Sequence, residues 1–167
     1  MFTSRMTHIS RAFAVIAAGA LLPAVSAPGA ALADEITVSI TSVKGLDKVD
    51  ELSGGDYFAK VTIDGESQST PVVKKSSFKP DWKISKSVSG GEHKVKLELI
   101  DKDLAEDDPI DINRLDKKRD LEFTVDTKSG KIEGFSSTQK VGNTITRAGK
   151  EKKKAEISFK VTVKKKK

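Results

Sequence analysis

Seven carboxylates are crowded into one short stretch of the sequence, LELIDKDLAEDDPIDI, at residues 97–112. The same stretch holds a single base, Lys102, although the whole chain is basic, with 30 Lys and Arg against 24 Asp and Glu. Crowded like charges repel one another, and salt screens that repulsion only in part. The stretch is therefore either a solvated turn or one wall of a site for a positive ligand.

A second acidic stretch, LDKVDELSGGD, ends at Asp56. If the two stretches meet at one end of a fold, they form a cup of oxygens without nitrogen or sulfur. Ca²⁺ takes roughly six to eight oxygens in flexible geometry, whereas Mg²⁺ prefers to keep its waters in octahedral order. The pattern favours calcium, but it does not fit an EF-hand, because Ala105 and Glu106 stand where a ligand and the turn glycine belong. Asp is also common in ordinary turns, so either stretch alone fits a solvated turn as well.

The elements that would position these carboxylates are predicted strands. Apolar and polar residues alternate with period two in five segments, and Asp64-Gly65 predicts a hairpin turn. Such segments, broken by Gly, Asp and Ser, indicate half-buried antiparallel strands, and several of them in one domain favour a β-sandwich. We predict an all-β fold, with residues 128–154 mostly loop and one or two short strands. The alternating segments are residues 36–40, 57–63, 95–99, 121–125 and 157–163.

The N-terminal 33 residues predict a secretory signal peptide. Arg5 and Arg11 precede an apolar run over residues 12–22, and the small-x-small sequence Ala-Leu-Ala at residues 31–33 is a typical cleavage site. The run is too short to span a bilayer, which takes about 20 residues. We therefore predict an exported protein, secreted or periplasmic, with cleavage after Ala33.

The rest of the chain is predicted to form one domain over residues 34–163 and a basic disordered tail over residues 164–167. Nine lysines lie in residues 150–167. The tail is expected to attract anionic surfaces, but it lacks the interleaved aromatic residues that stack on bases, so we predict no nucleic-acid partner. The chain has no cysteine, so stability is expected to come from packing and from bound ions.

Catalysis is not expected from this sequence. The part after the signal peptide has one histidine, His93, no cysteine and no G-x-S-x-G motif. His93 follows Ser-Gly-Gly in a predicted turn and is expected at the surface. Trp82 and Tyr57 are expected in the core or at a strand rim rather than on a sugar-binding platform. We predict that the protein is not an enzyme.

In the order of its motifs, the sequence resembles the C2 domain family. That family has a loop of the form D-x5-D-P-Y-x-K-V, then N-P-x-W, then a strand that ends in D-x-D-x4–5-D-x-I-G. Here the three motifs read DELSGGDYFAKV at residues 50–61, KPDW at residues 79–82 and DKDLAEDDPID at residues 101–111. The resemblance covers residues 36–112. It departs from the pattern where proline is missing after Asp56 and where Asp111 replaces the usual glycine.

The resemblance implies an eight-stranded antiparallel C2-like β-sandwich of the circularly permuted topology, in an exported, bacterial-type single-domain form. It implies that five matching aspartates bind Ca²⁺, and that loop tips and neighbouring lysines contact lipid headgroups. The implied metal ligands are Asp50, Asp56, Asp101, Asp103 and Asp108. The implied lipid-binding residues are Leu52, Leu104, Lys74, Lys75, Lys79 and Lys83.

The function that follows is an exported, monomeric calcium-binding module that docks on anionic phospholipid membranes when calcium is present. An alternative remains open. In that alternative, calcium only stabilises the fold, and a protein or an envelope polymer binds elsewhere on the surface.

Overall fold

The computed structural model describes residues 33–47, 55–103, 105–115 and 117–165, and residues 31–167 group into one compact unit. The predicted signal peptide, Asp50, Leu52 and Leu104 lie outside the described residues. The described part of the chain consists of strands, turns and loops, and none of it forms a helix long and apolar enough to cross a membrane.

The described residues form thirteen strands, of which eight have four or more residues, the number that the family resemblance implies. Several short ones extend or flank the long strands. In chain order they are β1 (Asp34–Gly45), β2 (Asp56–Ile63), β3 (Glu66–Ser69), β4 (Val73–Lys74), β5 (Ser77–Phe78), β6 (Trp82–Val88), β7 (Glu92–Asp101), β8 (Asp108–Ile110), β9 (Leu121–Asp126), β10 (Lys131–Glu133), β11 (Gln139–Lys140), β12 (Thr144–Ala148) and β13 (Ala155–Lys164).

The strands form two antiparallel sheets. One runs β12-β13-β1, with β5 and β6 both pairing with β1, and the other runs β11-β10-β9-β7-β2-β3, with β4 on β2 and β8 on β7. The predicted all-β antiparallel sandwich is therefore confirmed. The first strand lies between β13 and β6, and the circularly permuted topology stays a prediction.

The core lies between the two sheets and follows the period-two pattern. In β1, Ile36, Val38 and Ile40 are buried while the residues between them are partly exposed. Phe123 of β9 and Phe159 of β13 stack with ring centroids 5.7 Å apart, so they join one sheet to the other. The same alternation buries Tyr57 and Trp82, as expected for core residues.

The segment at residues 128–154 is more regular than predicted, because it contains three strands, β10 to β12, rather than one or two. Ile132 and Ile145 are buried, and Phe135 and Val141 pack against the core. Strands of two to five residues give too few alternations for the sequence pattern to reveal them.

The last strand runs one residue past the predicted domain boundary and ends at Lys164. Lys165 follows it, and its Nζ donates a hydrogen bond to Asp34 Oδ2 at 2.8 Å. Of the residues predicted to form the basic tail, Lys164 thus ends β13 and Lys165 pairs with Asp34, while Lys166 and Lys167 lie outside the described residues. At about 3.3 Å per residue, β1 spans about 35 Å, so Lys165 lies about that far from Gly45.

His93 is buried, not at the surface as expected, with 5% of its area exposed. Its Nδ1 lies 2.6 Å from Asp64 Oδ2, and its Nε2 lies 2.8 Å from the Ser89 carbonyl oxygen. Asp64 and Gly65 form the predicted hairpin turn between β2 and β3, with φ angles of 48° and 82°. The histidine thus ties this hairpin to the start of β7.

We expect Asp64→Asn to lower the free energy of unfolding at pH 7 by about 1 kcal/mol, a small value because the carboxylate is partly exposed. Burial alone would raise the pKa of Asp64, but hydrogen bonds from His93 and from the Lys94 backbone N–H, with the charges of His93 and Lys86, hold it below its ordinary value of 3.8. The ionised carboxylate therefore stabilises the fold above that value, and this stability is lost as the pH falls through the lower pKa of the folded state.

Urea denaturation of wild type and variant from pH 7 downward measures this effect. The difference between them should close as the pH falls below about 3.8. Asp81→Asn, which removes an exposed carboxylate, is the matched control and should follow the wild type. A constant gap between wild type and Asp64→Asn across the whole range would contradict the assignment.

Candidate metal site

Five strand ends meet at one end of the sandwich. β1 ends where β13 begins, with Gly45 opposite Ala155, and β7 ends at Asp101, which lies between Tyr57 of β2 and Asp108 of β8. The chain leaves these ends through loops that are rich in aspartate. We call this part of the molecule the acidic end, and its described carboxylates are Asp47, Asp56, Asp101, Asp103 and Asp108.

Asp101 is the most buried carboxylate of the acidic end, with 7% of its area exposed. Its Oδ1 accepts a hydrogen bond of 2.7 Å from the Asp56 backbone N–H. Burial raises the pKa of the Asp101 carboxyl, and the charges of Asp103 and Asp56 raise it further, although the Asp56 N–H and the Lys153 ammonium act in the opposite direction. A carboxylate held in this way among like charges is stabilised by any cation that reaches it.

The donor set of the acidic end fits a hard cation. The donors are carboxylate oxygens, and Asp101 and Asp103 leave the end of β7 together, as a D-x-D pair does. Within residues 33–47, 55–103, 105–115 and 117–165, no three Asp, Glu, His or Cys side chains lie close enough together to hold a metal ion. The structure therefore gathers Asp56, Asp101, Asp103 and Asp108 at one end without closing them into a shell, and Asp50 lies outside the described residues.

Among the described residues, the lysines Lys74, Lys153 and Lys154 form ion pairs with these carboxylates. Lys153, in the loop between β12 and β13, forms an ion pair with Asp108. Hydrogen bonding to Asp108, and then the charges of Asp108, Asp103 and Asp101, raise the pKa of the Lys153 ammonium. The other two pairs join Lys74 Nζ to Asp56 Oδ2 at 3.3 Å and Lys154 Nζ to Asp47 Oδ1 at 3.6 Å.

The sequence pattern does not predict a role for Lys153, which belongs to a general excess of lysines near the C-terminus. The pairing of the strands would have predicted its position. If the last strand pairs with the first in antiparallel fashion, the loop before β13 must lie beside the end of β1. A lysine in that loop is then placed among the acidic loops.

Asp111, which replaces the family's glycine, is fully buried and holds the same loop. Its carboxylate accepts backbone N–H hydrogen bonds from Asn113 at 2.8 Å, Lys150 at 2.7 Å and Glu151 at 2.6 Å. Its own backbone N–H donates to the Lys153 carbonyl at 2.7 Å. The departure from the family pattern therefore has a structural role, because Asp111 fastens the loop between β12 and β13 to the chain that follows β8.

The predicted lipid-binding lysines lie at the surface of the described chain. Lys74, Lys75 and Lys79 are exposed. Lys83 is exposed and lies 2.9 Å from Asp81. Their neighbour Lys86 is different, because its Nζ donates to the Ile63 carbonyl at 2.9 Å, so it connects the two sheets.

A C2 domain family model matches residues 34–133, which is more than half of the chain. The protein belongs to the C2 domain family. The match begins at the first residue of β1 and includes both acidic loops. C2 domains are in general calcium- and phospholipid-binding modules and are not catalytic themselves.

Solved structures with the same fold include other C2 domains. The first C2 domain of plant Extended Synaptotagmin 1 is 14% identical with a TM-score of 0.55, over 81% of this chain and 98% of that one. A calcium-bound structure of two C2 domains of Extended-Synaptotagmin 2 is 13% identical with a TM-score of 0.52, over 79% of this chain and 46% of that one. At such identities the likeness shows the fold.

Human GIVD cytosolic phospholipase A2 is also similar, at 13% identity and a TM-score of 0.54 over 81% of this chain. This C2 domain spans only 17% of that chain, and therefore matches a small part of a larger enzyme. No curated protein matches the sequence.

Proposed function

We propose that this C2 domain is exported and docks on anionic phospholipid surfaces in a calcium-dependent way. The observation that carries the proposal is the position of Asp101. This nearly buried carboxylate is the last residue of the central strand β7, and the negative charges of Asp103 and Asp56 act on it. The ionised form of such a group costs free energy unless a positive charge is near.

The residues that would hold the ion are Asp56, Asp101, Asp103 and Asp108 with Asp50 from the neighbouring loop. When bound, calcium would supply positive charge and open coordination positions for phosphate oxygens of lipid headgroups. Three exposed lysines lie near the same end: Lys74 in β4, which pairs with the start of β2, and Lys75 and Lys79, which follow β4 and β5. Each lysine near an anionic membrane surface contributes about 1 kcal/mol to binding.

Export is proposed from the sequence, which has the pattern of a signal peptide in residues 1–33. The compact unit begins at residue 31, and β1 begins at Asp34, directly after the proposed cleavage site. Cleavage after Ala33 would leave the whole of β1 in the mature protein, and the proposed location is secreted or periplasmic.

One observation favours a second candidate, a module whose acidic end is structural and whose protein or envelope-polymer partner binds elsewhere. Asp47, Asp56 and Asp108 each have a lysine of the same chain beside them. If these ion pairs neutralise the acidic end sufficiently, calcium adds little, and membrane docking through this end is lost.

A calorimetric calcium titration of the mature protein tests the proposed site. We expect wild type to bind calcium and Asp101→Asn/Asp103→Asn to lose tight binding, because two negative donors become neutral amides. The variant should fold normally in chelator and be at least as stable as wild type. Asn at position 101 keeps an oxygen that can accept the Asp56 N–H, while the repulsion among the carboxylates is relieved.

The matched control is Glu92→Gln/Glu133→Gln, which removes two exposed negative charges, one of them at the opposite end of β7. It should bind calcium as wild type does. Calcium affinity that is unchanged in Asp101→Asn/Asp103→Asn would refute the assignment of the site.

A further inference from the structure

We propose that Lys153 is a tethered cation that occupies the acidic end in the calcium-free protein and competes with calcium for the aspartates. This inference rests on the proposed calcium site and concerns its regulation by the chain itself. It assigns to the loop between β12 and β13 a role that the family motifs do not include.

The loop is fixed at both sides of Lys153 rather than free to move. Before it, the buried Asp111 carboxylate accepts the N–H groups of Lys150 and Glu151. After it, the Ala155 N–H donates to the Asp111 carbonyl at 2.9 Å. At the start of the loop, Gly149 packs so closely that a Cβ atom there would overlap the Asp111 carbonyl oxygen.

Lys153 itself is held in a conformation that residues with a side chain seldom adopt. Its φ angle is 55°, in the left-handed region, and its carbonyl accepts the Asp111 N–H at 2.7 Å. A left-handed residue other than glycine persists where the surrounding contacts impose it, and such residues are concentrated at functional sites. Here the conformation directs the ammonium to Asp108, one of the proposed calcium ligands.

An exposed ion pair by itself contributes little, so the position of the charge matters more than the pair. The Lys153 ammonium is paired with Asp108, and its pKa is raised by hydrogen bonding to Asp108 and by the negative charges of Asp108, Asp103 and Asp101. Its charge also lowers the pKa of the buried Asp101, whereas the ion pairs of Lys74 and Lys154 are with Asp56 and Asp47. A metal ion that binds Asp108 must displace the ammonium from it.

Two consequences follow for the site. The calcium-free acidic end carries less negative charge than its aspartates alone would give it, which limits the repulsion among them. Calcium affinity is set partly by Lys153, since the two cations exclude each other by mass action. The chain thereby raises the calcium concentration at which docking begins.

Calorimetric calcium titrations of wild type, Lys153→Met and Lys152→Met test the proposal. Lys152 is an exposed lysine next to Lys153 in the same loop, so its variant changes the net charge equally. We expect Lys153→Met to bind calcium about tenfold more tightly than wild type, within the usual range of coupling between two ligands. Lys152→Met should stay within about twofold of wild type, because solvent and salt screen its charge. Lys153→Arg, which keeps the charge, should bind calcium no more tightly than wild type.

The outcomes separate this inference from the function on which it rests. If wild type binds no calcium up to several millimolar but Lys153→Met does, the proposed function is wrong and the tethered cation is supported in its strongest form. If wild type binds calcium and the two Met variants have equal affinities, the proposed function stands and the inference is overturned. If neither wild type nor Lys153→Met binds calcium, both are overturned.

Discussion

Asp111→Ala is expected to lower the free energy of unfolding by about 3–5 kcal/mol, the largest effect of any single substitution considered for this fold. The carboxylate is fully buried and accepts three backbone N–H groups, those of Asn113, Lys150 and Glu151. A buried donor left without a partner costs about 1–3 kcal/mol, so loss of the acceptor shared by three donors gives an effect at the upper end of those seen for single substitutions.

Urea denaturation of the calcium-free protein measures this difference. Asp107→Ala, which removes an exposed carboxylate of the acidic loop, is the matched control and should change stability by less than about 0.5 kcal/mol. Asp111→Asn should be nearly as damaging as Asp111→Ala, because the oxygen Oδ2 that faces two N–H donors would become an amide group that also donates. Loss of less than about 1 kcal/mol in both Asp111 variants would contradict the anchoring role.

Membrane binding is expected to strengthen about thirtyfold or more when calcium is added, and to do so only on anionic vesicles. One calcium ion adds two positive charges at the acidic end, and about 1 kcal/mol per charge corresponds to roughly that factor. The effect should weaken as salt rises, since charges at the surface are screened beyond about 8 Å at physiological ionic strength.

The C-terminal lysines are not expected to contribute to the calcium-dependent part of membrane binding. Lys165 pairs with Asp34 at the start of β1, and the acidic end lies at the other end of that strand, about 35 Å away. Deletion of residues 164–167 should therefore leave the calcium-dependent part of vesicle binding unchanged. Loss of the calcium response in that deletion would contradict docking through the acidic end.

Much of the fold could be predicted from sequence because its core depends on period two. Residues 36–40, 57–63 and 95–99 alternate clearly, and the structure buries the apolar member of each alternation. The Asp64-Gly65 turn could also be predicted, because this pair favours the left-handed conformation that the turn requires. Both residues adopt that conformation in the structure. The short strands β10 to β12 could not be predicted because they contain too few alternations. The burial of His93 could not be predicted because it depends on Asp64, which is 29 residues away in the sequence.

The acidic end could also be predicted only in part. The aspartates were recognisable by type, spacing and family motif, but their counter-charges were not, because Lys153 and Asp108 are 45 residues apart. Asp111 was visible only as a departure from the family pattern. Its role depends on contacts with the loop between β12 and β13, because the N–H groups of Lys150 and Glu151 donate to its carboxylate.

The most direct test of calcium-dependent docking is co-sedimentation of the mature protein with vesicles in millimolar calcium or in chelator. Phosphatidylserine-containing vesicles are compared with phosphatidylcholine vesicles at low salt. The protein is expected to pellet with the anionic vesicles in calcium, and to remain in the supernatant in chelator or with the neutral vesicles. Calcium-dependent docking would be contradicted if the protein stayed in the supernatant with anionic vesicles in calcium at low salt. It would also be contradicted if the protein pelleted with them equally in chelator.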